Sequence, residues 1–246
     1  MKKTFVIAKR NIIEMFRDPV SLVLCIVFPL FMLLLMQILF KSIPSTPYNF
    51  QIQNYASGIC VFGHTFITLY ISMQIATDKN TSFIKRLDIS PIHRYNYLFS
   101  YYISSFPMVL LQTTLFFMVA LAFGFPFNFN LLLSIIYLIP SAILYITFGI
   151  FIGVISKNEK VTGPISSILI SVIGIFGGIF MPATAFSGTF GTIVNLLPFS
   201  HSVAIATDLQ TIGASCIYPH ILYILFYIVL LLSITLIIDN KLSKHR

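Results

Sequence analysis

Charge is what this sequence has least of. Of 246 residues, 15 are Lys or Arg and 7 are Asp or Glu. None of them falls in six long apolar stretches, residues 20–40, 55–77, 97–125, 131–156, 163–181 and 217–238. A helix needs roughly 20 apolar residues to cross the hydrocarbon core, and a charge at mid-bilayer costs about 2.5–3.5 kcal/mol on insertion scales. The absence therefore predicts an all-α membrane protein with six transmembrane helices. It also argues against an ion-coupled carrier, which places ionised side chains at membrane depth. His64, in the second stretch, reads as a packed, hydrogen-bonded histidine rather than a titrating one.

Other absences narrow the field further. None of the twelve glycines is followed by Lys, so no Walker A loop exists to cradle nucleotide phosphates. Neither HExxH nor GxSxG occurs, which removes the usual metalloprotease and serine-hydrolase patterns. Five histidines (64, 93, 201, 220 and 245) and three cysteines (Cys25, Cys60 and Cys216) are scattered without metal or pairing periodicity. No internal repeat supports an inverted-repeat carrier. The gaps between stretches are too short for a separate soluble domain, so no basic domain exists to bind nucleic acid.

The charges that are present carry direction. Lys2, Lys3, Lys9, Arg10 and Arg17 precede the first stretch. Lys79, Lys85, Arg86 and Arg94 follow the second, Lys157 and Lys160 follow the fourth, and Lys241, Lys244 and Arg246 follow the sixth. These fourteen lie on one side; Lys41 is the single base on the other. The positive-inside rule places both termini in the cytoplasm, and the net charge of +8 is a topology signal. The organisation read from this is a cytoplasmic amphipathic helix over residues 1–19 and a six-span domain over residues 20–246. A composition rich in Ile, Lys, Asn and Phe suggests an AT-rich bacterial genome and a cell-membrane location.

Before the first span, Phe5, Val6, Ala8, Ile12, Ile13, Met15 and Phe16 fall on one helical arc. Arg10, Asn11, Glu14, Arg17 and Asp18 fall on the opposite arc, with Ile7 a misfit. This predicts a helix lying flat at the interface, ended by Asp18-Pro19. Between spans two and three, cap-type residues at Thr77, Asp78, Asn80 and Thr81 precede Phe83, Ile84 and Leu87, with Pro91 closing the segment. A cytoplasmic helix of two or three turns is expected there. The outer segment 182–216 is apolar but broken by Gly188, Gly191 and Pro198, which suggests short helices dipping into the outer leaflet. Pro29, Pro107 and Pro140 predict kinks. Gly149-x-x-x-Gly153 and Gly174-x-x-x-Gly178 permit close helix approach, more readily within the chain than between chains.

These residues resemble a known family. Asp78-Lys79, Phe83-Ile84-Lys85-Arg86-Leu87 and Ser90-Pro91 are similar to the E-R-E-x-G-T-[LF]-x-x-L-x-x-[ST]-P signature of type-2 ABC-transporter permeases. Arg17-Asp18-Pro19 resembles the end of their elbow helix, and Phe28-Pro29 their first-span proline. Lys157–Pro164, then Gly178-Ile-Phe-Met181-Pro182 and Leu197-Pro198, resemble the second half. Asp78-Lys79-Asn80 stands where the family usually has Glu-Arg-Glu.

The resemblance implies the membrane subunit of an ATP-driven exporter, with no catalysis on this chain. It implies two permease chains, identical or sister, over two ATP-binding subunits that hold ATP and magnesium. The helix around residues 78–90 would dock the ATPase, using Asp78, Lys79, Phe83, Ile84, Lys85, Arg86, Leu87, Ser90 and Pro91. The elbow, with Arg10, Glu14, Arg17 and Asp18, would brace it. Spans two and five would line the path, with His64, Phe66, Phe176, Phe180 and Met181 as candidate lining. An uncharged, Phe-rich path suits hydrophobic or amphipathic cargo such as a drug, antibiotic, lipid-like molecule or peptide. A membrane immunity, sensor or scaffold protein is the competing reading, and a channel a third.

Overall fold

The computed structural model describes residues 2–41, 51–88, 92, 94–179, 188–211 and 217–243, and every element among them is helical. Ser90, Pro91, Phe180 and Met181 lie outside the described residues, as do the side chains of Lys85 and Arg86. Among the described residues six helices, or helix pairs, are long and apolar enough to cross a membrane: Pro19–Lys41, Tyr55–Asn80, Arg94–Ala122, Phe129–Ile155, Glu159–Phe176 and Ile217–Leu242.

The chain begins with α1 (Lys2–Arg17). Span one comprises α2 (Pro19–Leu22), a π-helical turn (Val23–Val27) and α3 (Phe28–Lys41). The wide turn sits just before Pro29, which has no N–H to give the helical ladder. Span two is α4 (Ile52–Asn80), followed at its base by the short α5 (Ser82–Asp88). Span three is α6 (Arg94–Ala122). Span four is two helices, α7 (Phe129–Tyr137) and α8 (Ile139–Ile155), divided at Leu138 where Pro140 enters the first turn of α8. Proline is tolerated there because a first-turn N–H needs no partner within the helix. Span five is α9 (Glu159–Phe176), α10 (Gly188–Leu196) and α11 (Pro198–Thr211) follow, and span six is α12 (Ile217–Ser243).

Span two is the hub. Across its apolar window 78% of residues are buried, against 17% in spans one and six. Lipid tails are as apolar as leucine, so helices here associate through close packing and polar contacts rather than through the hydrophobic effect. The packing around α4 shows both. A Cβ on Gly149 would stand 2.9 Å from the Thr68 carbonyl oxygen, and one on Gly153 would stand 2.7 Å from Ile75 Cβ. The Thr68 hydroxyl donates to the Tyr145 carbonyl at 2.7 Å, Ser72 and Ser166 hydroxyls meet at 2.7 Å, and His64 Nε2 lies 2.9 Å from Thr113 Oγ1.

Three expectations differ from the structure. Asn11, assigned by spacing to the polar arc of α1, is wholly buried, and Ile7 is buried beside it. Asn11 Nδ2 donates to Ser100 Oγ at 3.4 Å. The apolar arc divides instead: Ala8 and Met15 pack inward, whereas Phe5 and Val6 are exposed. A helix held against α6 has one face chosen by that neighbour and a second apolar face left to its surroundings. Asp78 and Lys79 belong to the last turn of α4, not to the short helix, because Thr81 leaves helical geometry (φ −96°, ψ 166°). Its hydroxyl donates to the Asp78 carbonyl at 2.8 Å and accepts from the Phe83 N–H at 3.3 Å. Gly178 lies beyond the end of α9 with φ 82°, so Gly174 and Gly178 do not share one helical seam as Gly149 and Gly153 do.

Candidate functional site

A connected polar cluster sits at the end of the bundle that carries α1 and α5. Its centre is Asp78, 2% exposed, in the last turn of α4. Arg10 reaches it from α1 as a fork, Nη2 to Oδ1 at 2.7 Å and Nη1 to Oδ2 at 3.3 Å. The Tyr101 hydroxyl of α6 donates to Oδ2 at 2.8 Å, and the hydroxyls of Tyr97 and Tyr101 are 2.8 Å apart. A planar guanidinium matches a carboxylate two-to-two, which fixes orientation as well as charge.

Arg10 has further partners. Its Nε donates to Glu14 Oε1 at 2.9 Å, and Glu14 Oε2 accepts from Gln74 Nε2 at 3.0 Å. Its guanidinium lies 3.9 Å over the Phe83 ring of α5, a cation–π contact. Burial works against the Arg10 charge, but the hydrogen bond and charge of Asp78, helped by Glu14, outweigh it and raise the guanidinium above its ordinary value. One side chain thus joins α1, α4 and α5, and Asp78 adds α6.

The short α5 is seated by its apolar face. Ile84 and Leu87 are buried in one cluster with Ile75, Tyr97, Leu98 and Val154, and Phe83 packs against it half-buried. Lys79 points another way. Its Nζ donates to the carbonyls of Gly153 (2.7 Å), Val154 and Ser156 (3.2 Å) at the end of α8. The last carbonyls of a helix have no partner within it, and a cation there also meets the negative end of the helix dipole. Lys79→Met is expected to cost about 1.5–3 kcal/mol through these charge-assisted bonds, read as a lowered thermal midpoint of the purified chain in detergent.

The remaining candidate residues scatter. Asp18 caps α2, accepting from Val20 N at 3.1 Å and Ser21 N at 3.0 Å, and Arg17 is exposed. His64 faces Thr113 on α6. Phe66 packs instead against Phe28 and Phe62, ring centroids 4.7 and 5.4 Å away. Phe176 is half-buried at the end of α9. His64 and Phe66 thus face different neighbours, α6 for the first and span one for the second. At the opposite end, His201 and His220 meet Nδ1 to Nδ1 at 2.7 Å, and His220 Nε2 lies 3.5 Å from Asp208. Burial, and then the neighbouring His220, push the His201 imidazole below its ordinary value against a hydrogen bond to the Asn195 backbone.

Sequence reasoning did not find Tyr97 and Tyr101 or the Arg10–Asp78 link. A pair of tyrosines four apart at the base of a span was the available signal. Nothing local joins positions 68 residues apart.

Comparison with known proteins follows the same outline. Residues 2–211 match the family described as "ABC-2 type transporter". "Putative transport permease ycf38" of Cyanophora paradoxa is 29% identical over 161 residues, which is 63% of this chain and 56% of that protein. The match thus spans little more than half the length of that relative. With six helices or helix pairs long and apolar enough to cross a membrane and a family match from the first helix to α11, the chain belongs to the ABC-2 type transporter family.

Proposed function

We propose that this chain is the path-forming subunit of an ATP-driven exporter in a bacterial cell membrane, with both termini in the cytoplasm. The observation that carries the reading is the Arg10–Asp78 junction. It makes the elbow helix α1, the base of span two, the short α5 and span three one mechanical unit on the basic side of the membrane. A displacement of α5 by a nucleotide-bound partner is then passed to the hub span, because packed elements shift as units rather than deform. Coupling requires that the partner grip α5 differently in its two nucleotide states.

The apolar face of α5 is engaged within the chain. The surface offered to the ATPase is therefore the opposite arc, which begins at the exposed Thr81 and Ser82 and takes in positions 85 and 86 by helical spacing. Phe83, Ile84 and Leu87 seat the helix, and Asp78 and Lys79 position it. A second permease chain, identical or sister, completes the path. The outward face of α9, with Ile165, Ile168 and Ile175 exposed, is the side offered to it. Cargo is hydrophobic or amphipathic, and the helices after span five form the outer gate. ATP and magnesium belong to the partner subunit.

Two variants test the coupling surface in a co-expressed complex with the ATPase. Ser82→Trp is expected to leave the permease's thermal midpoint unchanged while weakening ATPase association more than about tenfold and stopping ATP-driven transport. Ile84→Ala with Leu87→Ala removes buried apolar volume, at about 2–5 kcal/mol for each such truncation, and is expected to lower permease stability and lose coupling together. Wild-type association and transport in Ser82→Trp would exclude this surface.

A further inference from the structure

The histidine pair at the far end of the bundle from Asp78 takes no part in the function proposed above. His201 stands in the first turns of α11, and His220 in the first turn of α12. Their Nδ1 atoms are 2.7 Å apart, and their ring centroids 5.0 Å apart. Two ring nitrogens this close need one hydrogen between them. His220 presents Nε2 to a carboxylate oxygen of Asp208 at 3.5 Å. With its N–H on that side, neutral His220 accepts at Nδ1, and His201 donates from its own Nδ1. One extra proton still fits, because an imidazolium on either residue can donate to its neutral partner. Two extra protons do not fit. N–H then faces N–H across the same gap, and two positive rings abut.

The surroundings hold the rings in place. Tyr223 of α12 lies flat on His201, with centroids 4.3 Å apart at 14°. Burial and the neighbouring His220 oppose a charge on His201, against a hydrogen bond to the Asn195 backbone that favours one. Among the described residues, Asp208 is the charged group that faces the pair, and Tyr223 the other titratable one. From α10 come the Asn195 backbone and the Leu196 carbonyl, which accepts from the Tyr227 hydroxyl at 2.8 Å. The helices α4, α7 and α8 meet α11 through uncharged groups: Gly58 beside Val203, Ser134 at Gln210, and Tyr145 at Ser202.

We propose that His201 and His220 form a proton-operated latch between α11 and span six. Neutral or singly protonated, the latch holds the two helices together; the second proton releases it. Only the side of the membrane it samples, and its service to the outer gate, rest on the orientation and gate proposed above. The sign follows from His201. Latching disfavours its charge, so the latch is at full strength above the ordinary histidine value of about 6.5 and weakens as pH falls below it. If latching weakens the binding of that proton about tenfold, the latched state loses about tenfold in acid.

Hydrogen exchange of the full-length chain in detergent tests the latch. Exchange is read by mass spectrometry at about pH 5 and about pH 7.5, either side of the ordinary histidine value, with labelling times rescaled for intrinsic exchange. Peptides of α11 are expected to lose about tenfold in protection at the lower pH, relative to peptides of α8 in the same sample. His220→Gln cannot take up the second proton, and its amide can donate to or accept from His201, so no comparable loss is expected there. Equal relative protection of α11 at both pH values in the wild type overturns the proposal, as does the same acid loss in His220→Gln. If that variant does not fold, the wild-type comparison alone decides. Detergent exposes both ends of the molecule to one pH, so the result is independent of orientation and of the ATPase coupling that Ser82→Trp reads.

Discussion

Arg10→Ala should cost the permease about 3 kcal/mol, seen as a lowered unfolding midpoint in detergent, and should uncouple transport from ATP. Removing one partner of a buried ion pair costs about 3–5 kcal/mol, because the other charge stays buried without compensation. The lower end applies because the Arg10 side chain is 32% exposed, whereas that of Asp78 is 3% exposed. The asymmetry makes a sharper expectation. Asp78→Asn leaves a group that still meets the Tyr101 hydroxyl, and Arg10 retains Glu14 at 2.9 Å. That variant should lose about 1.5 kcal/mol, the low end for a hydrogen bond to a charged group. Arg10→Lys keeps the charge but loses the two-pronged geometry and the contact over Phe83, and should fall between the other two. A double-mutant cycle across Arg10 and Asp78 isolates the pair. If Arg10→Ala unfolds within about 0.5 kcal/mol of wild type, as an ordinary surface substitution does, the junction does not hold the fold.

The second large effect is expected at the hub seam. Gly153→Ala puts a methyl 2.7 Å from Ile75 Cβ, and Gly149→Ala puts one 2.9 Å from the Thr68 carbonyl and 3.0 Å from Ile71 Cβ. Backbone and Cβ atoms cannot rotate away, so α4 and α8 must separate. Overpacking of this kind typically costs 1–3 kcal/mol, and separation also lengthens the 2.7 Å bond from Thr68 to the Tyr145 carbonyl. Leucine at either position should abolish folded yield altogether. Gly163→Ala is the control: its Cβ would meet only Met73 Sδ at 3.7 Å, and alanine's better helix propensity should leave stability equal or slightly higher. Both seam glycines face α4 of the same chain. The damage must therefore appear in the isolated permease, at a concentration-independent midpoint. A loss confined to oligomer formation would contradict the seam.

Much of the fold was legible because hydropathy is summed locally. Six spans, the break at Pro140 and the end of α1 at Asp18-Pro19 each follow from residues within a turn or two of one another. The α1 helix was legible too, but not its inner face, since Asn11 is buried only because Ser100 happens to face it. The apolar residues of α5 illustrate the same boundary. Spacing identifies Phe83, Ile84 and Leu87 as one face, yet cannot say whether that face meets a partner or the chain's own core, where Ile84 and Leu87 are in fact buried.

The sequence alone determined how often the chain crosses the membrane and where its charges gather. Each of those depends on the transfer cost of a short segment, whatever lies around it. Tertiary structure decided which charges are spent inside the molecule. Arg10, Asp78 and Lys79 read alike as basic-side surface residues, but one pair is locked in a buried fork and the third closes the end of α8. The reason is geometric: ion pairing depends on distances of a few ångströms between helices far apart in the chain, and those distances exist only once the helices have packed.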